Sequence, residues 1–368
     1  MYSEKQFLQK FKGDQTTSYE EFMESAKVRT PKRTLKLKDY LHDKKVTTEQ
    51  IKHLYDAIQN RDEYLKSFYK TSLKPYDNEI KIKPMDEFNN NTKVQYKNVI
   101  RNMFYKDIME NTQPGHKGIV SYGTMVNDLY NNLIIDYKLL TPSALHYIKA
   151  GRIGSVFSSY YFRASIMNPY LVFSLQESLL KGTKIFTPTL GWGSYNYGFL
   201  ESKSVTEYVG TDVIPNVCKK VKSFANHLYP YKTTKIYCEP SENLYQDKKF
   251  MKSYADYFDT VFFSPPYYDL EKYAGTNQST NKYKTYEEWL EKYWTPTMLL
   301  CDNVLKKGGK MCYIISNYTK GKNTVNLVED LTNITKKHFT LTHMIPMKNK
   351  SVYVNKTGNQ EYIIIFKK

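Results

Sequence analysis

Apolar positions recur at two different spacings along this chain, and the change from one to the other divides it. Residues 1–80 are charged, with helical spacing. Thr47-Thr48-Glu49-Gln50 reads as a capping box. Ile51, Leu54, Tyr55 and Ile58 follow at i, i+3, i+4 and i+7, with a second run at Leu65, Phe68 and Tyr69, which predicts one amphipathic helix. The basic run from Arg29 to Lys38 just before it contains Pro31 and reads either as a solvated connector or as an arm for a polyanion. Pro75 to Thr92 is polar, ends in Asn89-Asn90-Asn91 and keeps no period, so it predicts a linker that closes a basic helical region over residues 1–92. Val94 to Met109 and Met125 to Leu140 are further helical patterns on either side of a turn at 113–118. They form a helical lead-in (93–180) to a core (181–368), together the domain 93–368. Nothing repeats at a fixed period, which argues against a solenoid.

From residue 181 the pattern changes to short β-prone runs separated by helical stretches. The runs are Lys184 to Phe186, Tyr208 to Thr211, Lys235 to Cys238, Thr260 to Phe263, and a fifth strand that ends at Ser316 after a helix end and the Gly308-Gly309 turn. Such alternation implies right-handed crossovers and a parallel sheet, hence an α/β fold. A helix around 325–337 and two last strands, 339–345 and 361–366, complete it. The fourth run is the one around which the rest is organised. It passes straight into Ser264-Pro265-Pro266-Tyr267-Tyr268, and no central strand or helix interior absorbs a Pro-Pro step. The strand therefore stops there, leaving a carbonyl, a hydroxyl and a flat ring at the carboxyl edge of a sheet, where open α/β folds bind ligands. The plain alternative is an aromatic-proline turn.

Composition narrows the partners. The chain has 368 residues, 40% of them hydrophobic, enough for one large core and a smaller one. A formal net charge of +17 favours a polyanion, and 15% aromatics, with 35 tyrosines, suit a groove where rings stack on bases. Four cysteines, Cys218, Cys238, Cys301 and Cys312, are far apart without metal-ligand spacing, so they read as reduced core residues, with neither a zinc site nor a disulfide framework. No apolar run is long enough to span a bilayer and the start lacks a signal-peptide pattern, which predicts a soluble intracellular protein.

Two further stretches carry candidate chemistry. Strand, glycine turn and helix follow one another through Thr187, Gly191-Trp192-Gly193 and Glu201, the arrangement in which glycines admit a ligand to backbone N–H groups near a helix N-terminus. About twenty residues on, the second strand ends in Asp212, where a carboxylate is placed to accept both hydroxyls of a ribose.

The fourth strand and Ser264-Pro265-Pro266-Tyr267 resemble motif IV of the DNA amino-methyltransferases, which methylate adenine N6 or cytosine N4 and carry Asp, Asn or Ser before Pro-Pro there. The similarity continues through Tyr268 to Tyr273, Gln278-Ser279 and Tyr286-Glu287-Glu288-Trp289, a run similar to a subgroup seen in bacteria, phages and large DNA viruses. It covers roughly residues 155–368. The resemblance implies a Rossmann-like methyltransferase sheet closed by an antiparallel hairpin, S-adenosylmethionine as cofactor, DNA (or RNA) as partner, and a restriction-modification or viral setting. Thr187 to Gly198 resembles motif I of that subgroup but departs from it at Thr187, where the family has an acidic residue, and at Leu190. The implied cofactor contacts are Thr187, Gly191, Trp192, Gly193 and Asp212, with Ser241 and Glu242 at the adenine ring. Glu242 alternatively caps the helix that follows it. In the stretch corresponding to motif X, Asn168 or Arg163 would meet the methionine carboxylate, unless each is a plain surface residue. The implied catalytic set is Ser264, Pro265, Pro266 and Tyr267: a hydroxyl and a carbonyl accept the amino hydrogens while Tyr267, aided by Tyr268, stacks on the base. Ser264 in first place tilts the target toward cytosine. The alternatives are a catalytically weak subunit that binds nucleic acid beside a protein partner, and a methyltransferase acting on a protein amide or a small molecule.

Overall fold

The structure, a computed structural model, describes residues 1–13, 17–42, 44–76, 79–115, 119–273, 275, 277–320, 323–348 and 360–368. The chain divides into two units. Residues 75–100 and 166–368 form a sheet unit, and residues 1–74 and 101–165 a helical unit.

The sheet unit carries seven strands: β1 (Lys184–Thr187), β2 (Glu207–Thr211), β3 (Thr233–Tyr237), β4 (Phe258–Phe263), β5 (Leu305–Ser316), β6 (Thr340–Pro346) and β7 (Glu361–Lys367). Their order is β6-β7-β5-β4-β1-β2-β3. β7 runs antiparallel to both β5 and β6, and every other pair is parallel. This is the Rossmann-like sheet with a closing hairpin that the sequence implies. Its centre is dry: β2 is buried along its whole length, and Val261, Phe262 and Phe263 of β4 are 0% exposed, as parallel strands covered on both faces must be. The outer strands β3 and β6 alternate toward solvent. From β1 the chain turns one way to β2 and β3, whereas β4 and β5 lie on the other side, so the strand order switches between β1 and β4. At such a switch point the crossovers leave a crevice outside the carboxyl ends.

Residues expected to be a linker pack in the sheet unit instead. Ile80 and Met85 are buried, the Met85 N–H donates to Ser174 Oγ at 3.0 Å, and the Asn168 N–H donates to Asn90 Oδ1 at 2.7 Å. Apolar residues spaced too widely for a periodic pattern still anchor an extended strap. The division therefore does not fall at 92/93, because 75–100 joins the core while 101–165 joins the first residues. Residues 77 and 78 of this stretch lie outside the described residues. In β5 the pairing with β4 slips between Leu305 and Lys310, so the expected Gly-Gly turn is a bulge within a strand, with Gly308 at φ +79°. Cys218, Cys301 and Cys312 are buried, but Cys238, just past the edge strand β3, is exposed.

In the helical unit the capping box at Thr47 and Gln50 starts helix Thr48–Gln59, which buries Ile51, Leu54 and Ile58. The predicted single helix breaks at Asn60, whose amide donates back to the Asp56 carbonyl, and resumes over Arg61–Phe68. The basic run is a hairpin, not a connector: Lys27–Arg29 pairs antiparallel with Thr34–Lys36 and parallel with Ile134–Asp136. The third predicted helix stops at Asn132, where Leu133 turns left-handed (φ +49°) and the β-branched Ile134-Ile135 enters that small sheet. Of the turn expected at 113–118, residues 116–118 lie outside the described residues.

Candidate functional site at the switch point

β1 ends at Thr187 and the chain reaches helix α1 (Ser194–Glu201) through three consecutive left-handed residues: Gly191 (φ +51°), Trp192 (φ +58°) and Gly193 (φ +86°). A Cβ on Gly191 would fall 2.3 Å from the Tyr195 ring and one on Gly193 2.8 Å from Val221 Cγ2, so both positions exclude side chains twice over, by space and by backbone. Trp192 occupies the same region at a cost of about 1 kcal/mol or more. Its buried indole, edge-on to Tyr273 at 5.8 Å, holds it there.

Asp212 follows β2 and ties that strand end to the turn. Its Oδ2 accepts the Leu190 N–H at 3.2 Å and its Oδ1 the Ile214 N–H at 3.1 Å. Burial raises its carboxyl above the ordinary value, and the backbone donors of Ile214, Leu190 and Val213 act against that rise. A carboxylate has about four acceptor sites, so capacity remains beyond these backbone bonds.

The other predicted cofactor contacts are placed differently. Thr187 is 0% exposed and its hydroxyl is bonded to the Tyr208 hydroxyl at 2.6 Å, so the side chain that replaces an acidic residue is used inside the sheet. Asn168 is also fully buried. Its Oδ1 caps helix Pro169–Leu175 at the Tyr170 N–H and its amide donates to the Thr92 carbonyl at 2.7 Å, which makes it a clamp for the strap and leaves no amide surface for a carboxylate. Arg163 belongs to the helical unit, where its guanidinium lies 5.8 Å from the Tyr122 ring. Ser241 faces inward, with its hydroxyl 2.8 Å from that of Thr297. Glu242 is 4% exposed, accepts the Tyr283 hydroxyl at 3.2 Å and has Lys282 at 3.6 Å. Burial pushes its carboxyl up. It does not cap the helix that follows: Pro240 is the N-cap of its own short helix, and Asp247 caps the next.

At the end of β4, Pro265 and Pro266 bring no N–H, so the Ser264-to-Tyr268 turn is held by tyrosines. The Tyr195 hydroxyl accepts the Ser264 N–H at 3.0 Å, and the Tyr267 hydroxyl, beside the Ser264 side chain, accepts the Ser316 N–H at 3.1 Å. Burial raises the pKa of both phenols above the ordinary value, so both stay neutral. Among the described residues nothing donates to the Pro265 carbonyl. Tyr268, expected to help hold a base, turns left-handed (φ +44°), packs against Tyr286 and Trp289 and donates to the Lys284 carbonyl at 3.0 Å. It therefore supports the turn. The segment that follows folds back as well, with helix Ser279–Lys282 and Trp289 Nε1 donating to Ser279 Oγ at 3.2 Å. Residues 274 and 276 lie outside the described residues. Sequence reasoning missed Tyr195, Tyr273 and Tyr283. The available signal was an aromatic two residues past a glycine pair.

Residues 258–368 match the DNA methylase family model. The matched stretch begins at β4 and includes the Ser264 turn, and it supports an amino-methyltransferase family. No curated protein matches the chain in sequence. Solved structures resemble it at low identity. The N-methyltransferase NodS of Bradyrhizobium japonicum in complex with S-adenosyl-l-homocysteine is 10% identical, over 54% of this chain and 82% of that one, with TM-score 0.35. TrmN of Thermus thermophilus is 13% identical, over 55% and 49%, with TM-score 0.37. The 1,6-didemethyltoxoflavin-N1-methyltransferase of Burkholderia thailandensis is 11% identical, over 54% and 76%, with TM-score 0.36. Likeness at this level adds nothing to the strand order above. Among the described residues no helix is long and apolar enough to cross a membrane, and no group of three or more His, Cys, Asp or Glu is arranged to hold a metal ion.

Proposed function

We propose that this chain transfers a methyl group from S-adenosylmethionine to an exocyclic amino group of a nucleobase in DNA. The observation that carries the reading is convergence. The glycine turn after β1, Asp212 after β2 and the Ser264 turn after β4 meet at the one edge where the strand order switches, and the Tyr195 hydroxyl joins the first of these to the third. The residues fit the cofactor. Gly191 and Gly193 leave room that a Cβ would fill, Asp212 has oxygens to offer a ribose, and on α1 the Ser194 hydroxyl and both ends of the Asn196 amide are buried without a partner among the described residues. When bound, S-adenosylmethionine supplies an electrophilic methyl group on a sulfonium.

The chain's own residues prepare the acceptor. The lone pair of an exocyclic amine is delocalised into its ring, so the amine attacks only when pyramidal and aligned. The Pro265 carbonyl and Ser264 hydroxyl accept its two hydrogens, which localises the lone pair and stabilises the positive charge that develops on nitrogen. Tyr267 is held at its hydroxyl end by Ser316 while its ring is half-buried, a fixed plate for a base. Stacking there offsets part of the few kcal/mol needed to take a base out of duplex DNA. Basic residues outnumber acidic ones in both units, which suits a phosphate backbone.

The test is to digest DNA from cells expressing the protein and search for modified nucleosides by mass spectrometry. N4-methylcytosine or N6-methyladenine is expected, with Ser264 tilting the outcome to cytosine, and both should vanish with Tyr267→Ala. A protein that binds S-adenosylmethionine but leaves neither mark on DNA overturns the reading.

A further inference from the structure

We infer that Tyr195 is the positioning residue of this site, one side chain that sets both the cofactor turn and the acceptor turn. The inference rests on the reading above. Its ring lies under the glycine turn: Cζ, Cε1 and Cε2 would stand 2.3, 2.5 and 2.7 Å from a Cβ on Gly191, so the Gly191 backbone sits directly on the ring face. The ring is 2% exposed and meets Phe262 of β4 edge-on, with centroids 5.1 Å apart and planes at 87°. The hydroxyl brackets the backbone of one residue at the catalytic strand end, accepting the Ser264 N–H at 3.0 Å and donating to the Ser264 carbonyl, in the peptide that leads to Pro265, at 3.4 Å.

That placement matters because of the sequence that follows. Ser264, just past β4, carries the last N–H before two prolines that have none, so no backbone donor of residues 265 and 266 can pin the turn. The Ser264 peptide sets the direction of Pro265, whose carbonyl is the proposed acceptor for an amino hydrogen. Without the Tyr195 hydroxyl the peptide is free to tilt, and misplacement of a reacting group by an ångström is worth about a hundredfold in rate. Tyr195 touches neither amine nor methyl; it acts through Ser264. The burial that keeps the phenol protonated also keeps it able to donate and accept at once.

Tyr195→Phe keeps the ring under Gly191 and removes only the hydroxyl, so it separates the two functions. Three quantities are read on the full chain: the calorimetric Kd for S-adenosylhomocysteine, the single-turnover rate of methyl transfer to DNA at saturating cofactor, and hydrogen exchange at the Ser264 amide. The expected result is a Kd within twofold of wild type, a rate lowered about tenfold to a hundredfold, and Ser264 exchange faster by about tenfold with Phe262 and Phe263 unchanged. Tyr195→Leu, which removes the ring as well, should also weaken S-adenosylhomocysteine. A Phe variant that transfers methyl at the wild-type rate overturns the inference, and so does a rate loss matched by an equal loss of affinity. A wild-type protein inactive on DNA would sink the functional reading instead. In that case the exchange measurement decides: a Ser264 amide unprotected in the wild type, or unaffected by Tyr195→Phe, overturns the positioning role on its own.

Discussion

Both units are rich in tyrosine, yet they use the hydroxyl differently. In the helical unit one cluster of four phenols is packed into the core. Tyr105, Tyr122 and Tyr130 are buried, and Tyr64 half-buried, among Phe7, Phe68 and Phe157; the Tyr64 and Tyr122 hydroxyls bond to each other, and burial pushes Tyr122 up to about 12. In the sheet unit four phenols at the proposed site fasten its backbone or a buried carboxylate: Tyr195 on the Ser264 backbone, Tyr267 on the Ser316 N–H, Tyr268 on the Lys284 carbonyl and Tyr283 on Glu242. An amphipathic ring can fill volume or fasten backbone. The first use stabilises a unit. The second fixes the geometry of the proposed site. Variants that split stability from ligand binding test that contrast.

The largest effect is expected in the helical unit, at Arg61. This guanidinium is 2% exposed and donates to the Tyr130 carbonyl at 2.8 Å and the Lys12 carbonyl at 2.9 Å, tying the end of helix Tyr122–Asn132 to the segment at Lys12. Arg61→Ala removes two charged hydrogen bonds and leaves two carbonyls unpartnered by it, which should cost about 3–5 kcal/mol in denaturant unfolding. Folded molecules should bind S-adenosylmethionine as the wild type does. A large fall in cofactor affinity at unchanged stability would erase the distinction between the units.

The contrast also explains what could be read from the sequence. The sheet unit was legible because buried parallel strands force continuous apolar runs, and because Pro-Pro and paired glycines announce their backbone consequences locally. The parallel strands, the glycine turn and the position of Asp212 follow from such signals, whereas the closing hairpin was implied by the family resemblance. The helical unit was legible chiefly at the capping box of Thr47 and Gln50 and the apolar positions after it, a signal that is local too. Its hairpin at 27–36 and the strand at 134–136 are short, charged or both, and pair across about a hundred residues, a link that periodicity does not carry. At the site, Ser241 and Asn168 could be matched by position, yet what their side chains bond, Thr297 and the strap at Thr92, is set by tertiary packing. Tyr195 was overlooked for the same reason: one residue among many tyrosines acquires its role from a strand some seventy positions away.

A smaller effect is expected at Asp212. Asp212→Ala should weaken S-adenosylmethionine by about 1.5–3 kcal/mol, the worth of charged hydrogen bonds to a ribose. Because Asp212 also holds the Leu190 N–H, lost affinity alone does not separate the ribose from the turn. A cofactor analogue lacking both ribose hydroxyls does so. The wild type should discriminate against it, while the Ala variant should bind analogue and cofactor alike, so that the two changes are strongly non-additive. Additive losses in the calorimeter would confine Asp212 to holding the glycine turn.

The smallest effect is a pH dependence at Glu242, where a buried carboxylate and a tyrosine hydroxyl meet. Burial is the main influence on Glu242 and raises its carboxyl, outweighing its backbone donor, Lys282 and Tyr283. A carboxyl raised on folding binds its proton more readily in the folded chain than in the unfolded one. Its contribution to stability is therefore most favourable below the ordinary carboxylate value, about 4.3, and is lost as pH rises through the raised folded value. Glu242→Gln keeps an oxygen for the Tyr283 hydroxyl and removes the charge, so in the absence of ligand the variant should melt above the wild type at pH 8. That advantage should shrink steadily as the pH is lowered toward the ordinary carboxylate value. A variant that melts below the wild type at pH 8 would reverse the sign, and would mean that the 3.6 Å approach of Lys282 governs this carboxylate more than its burial does.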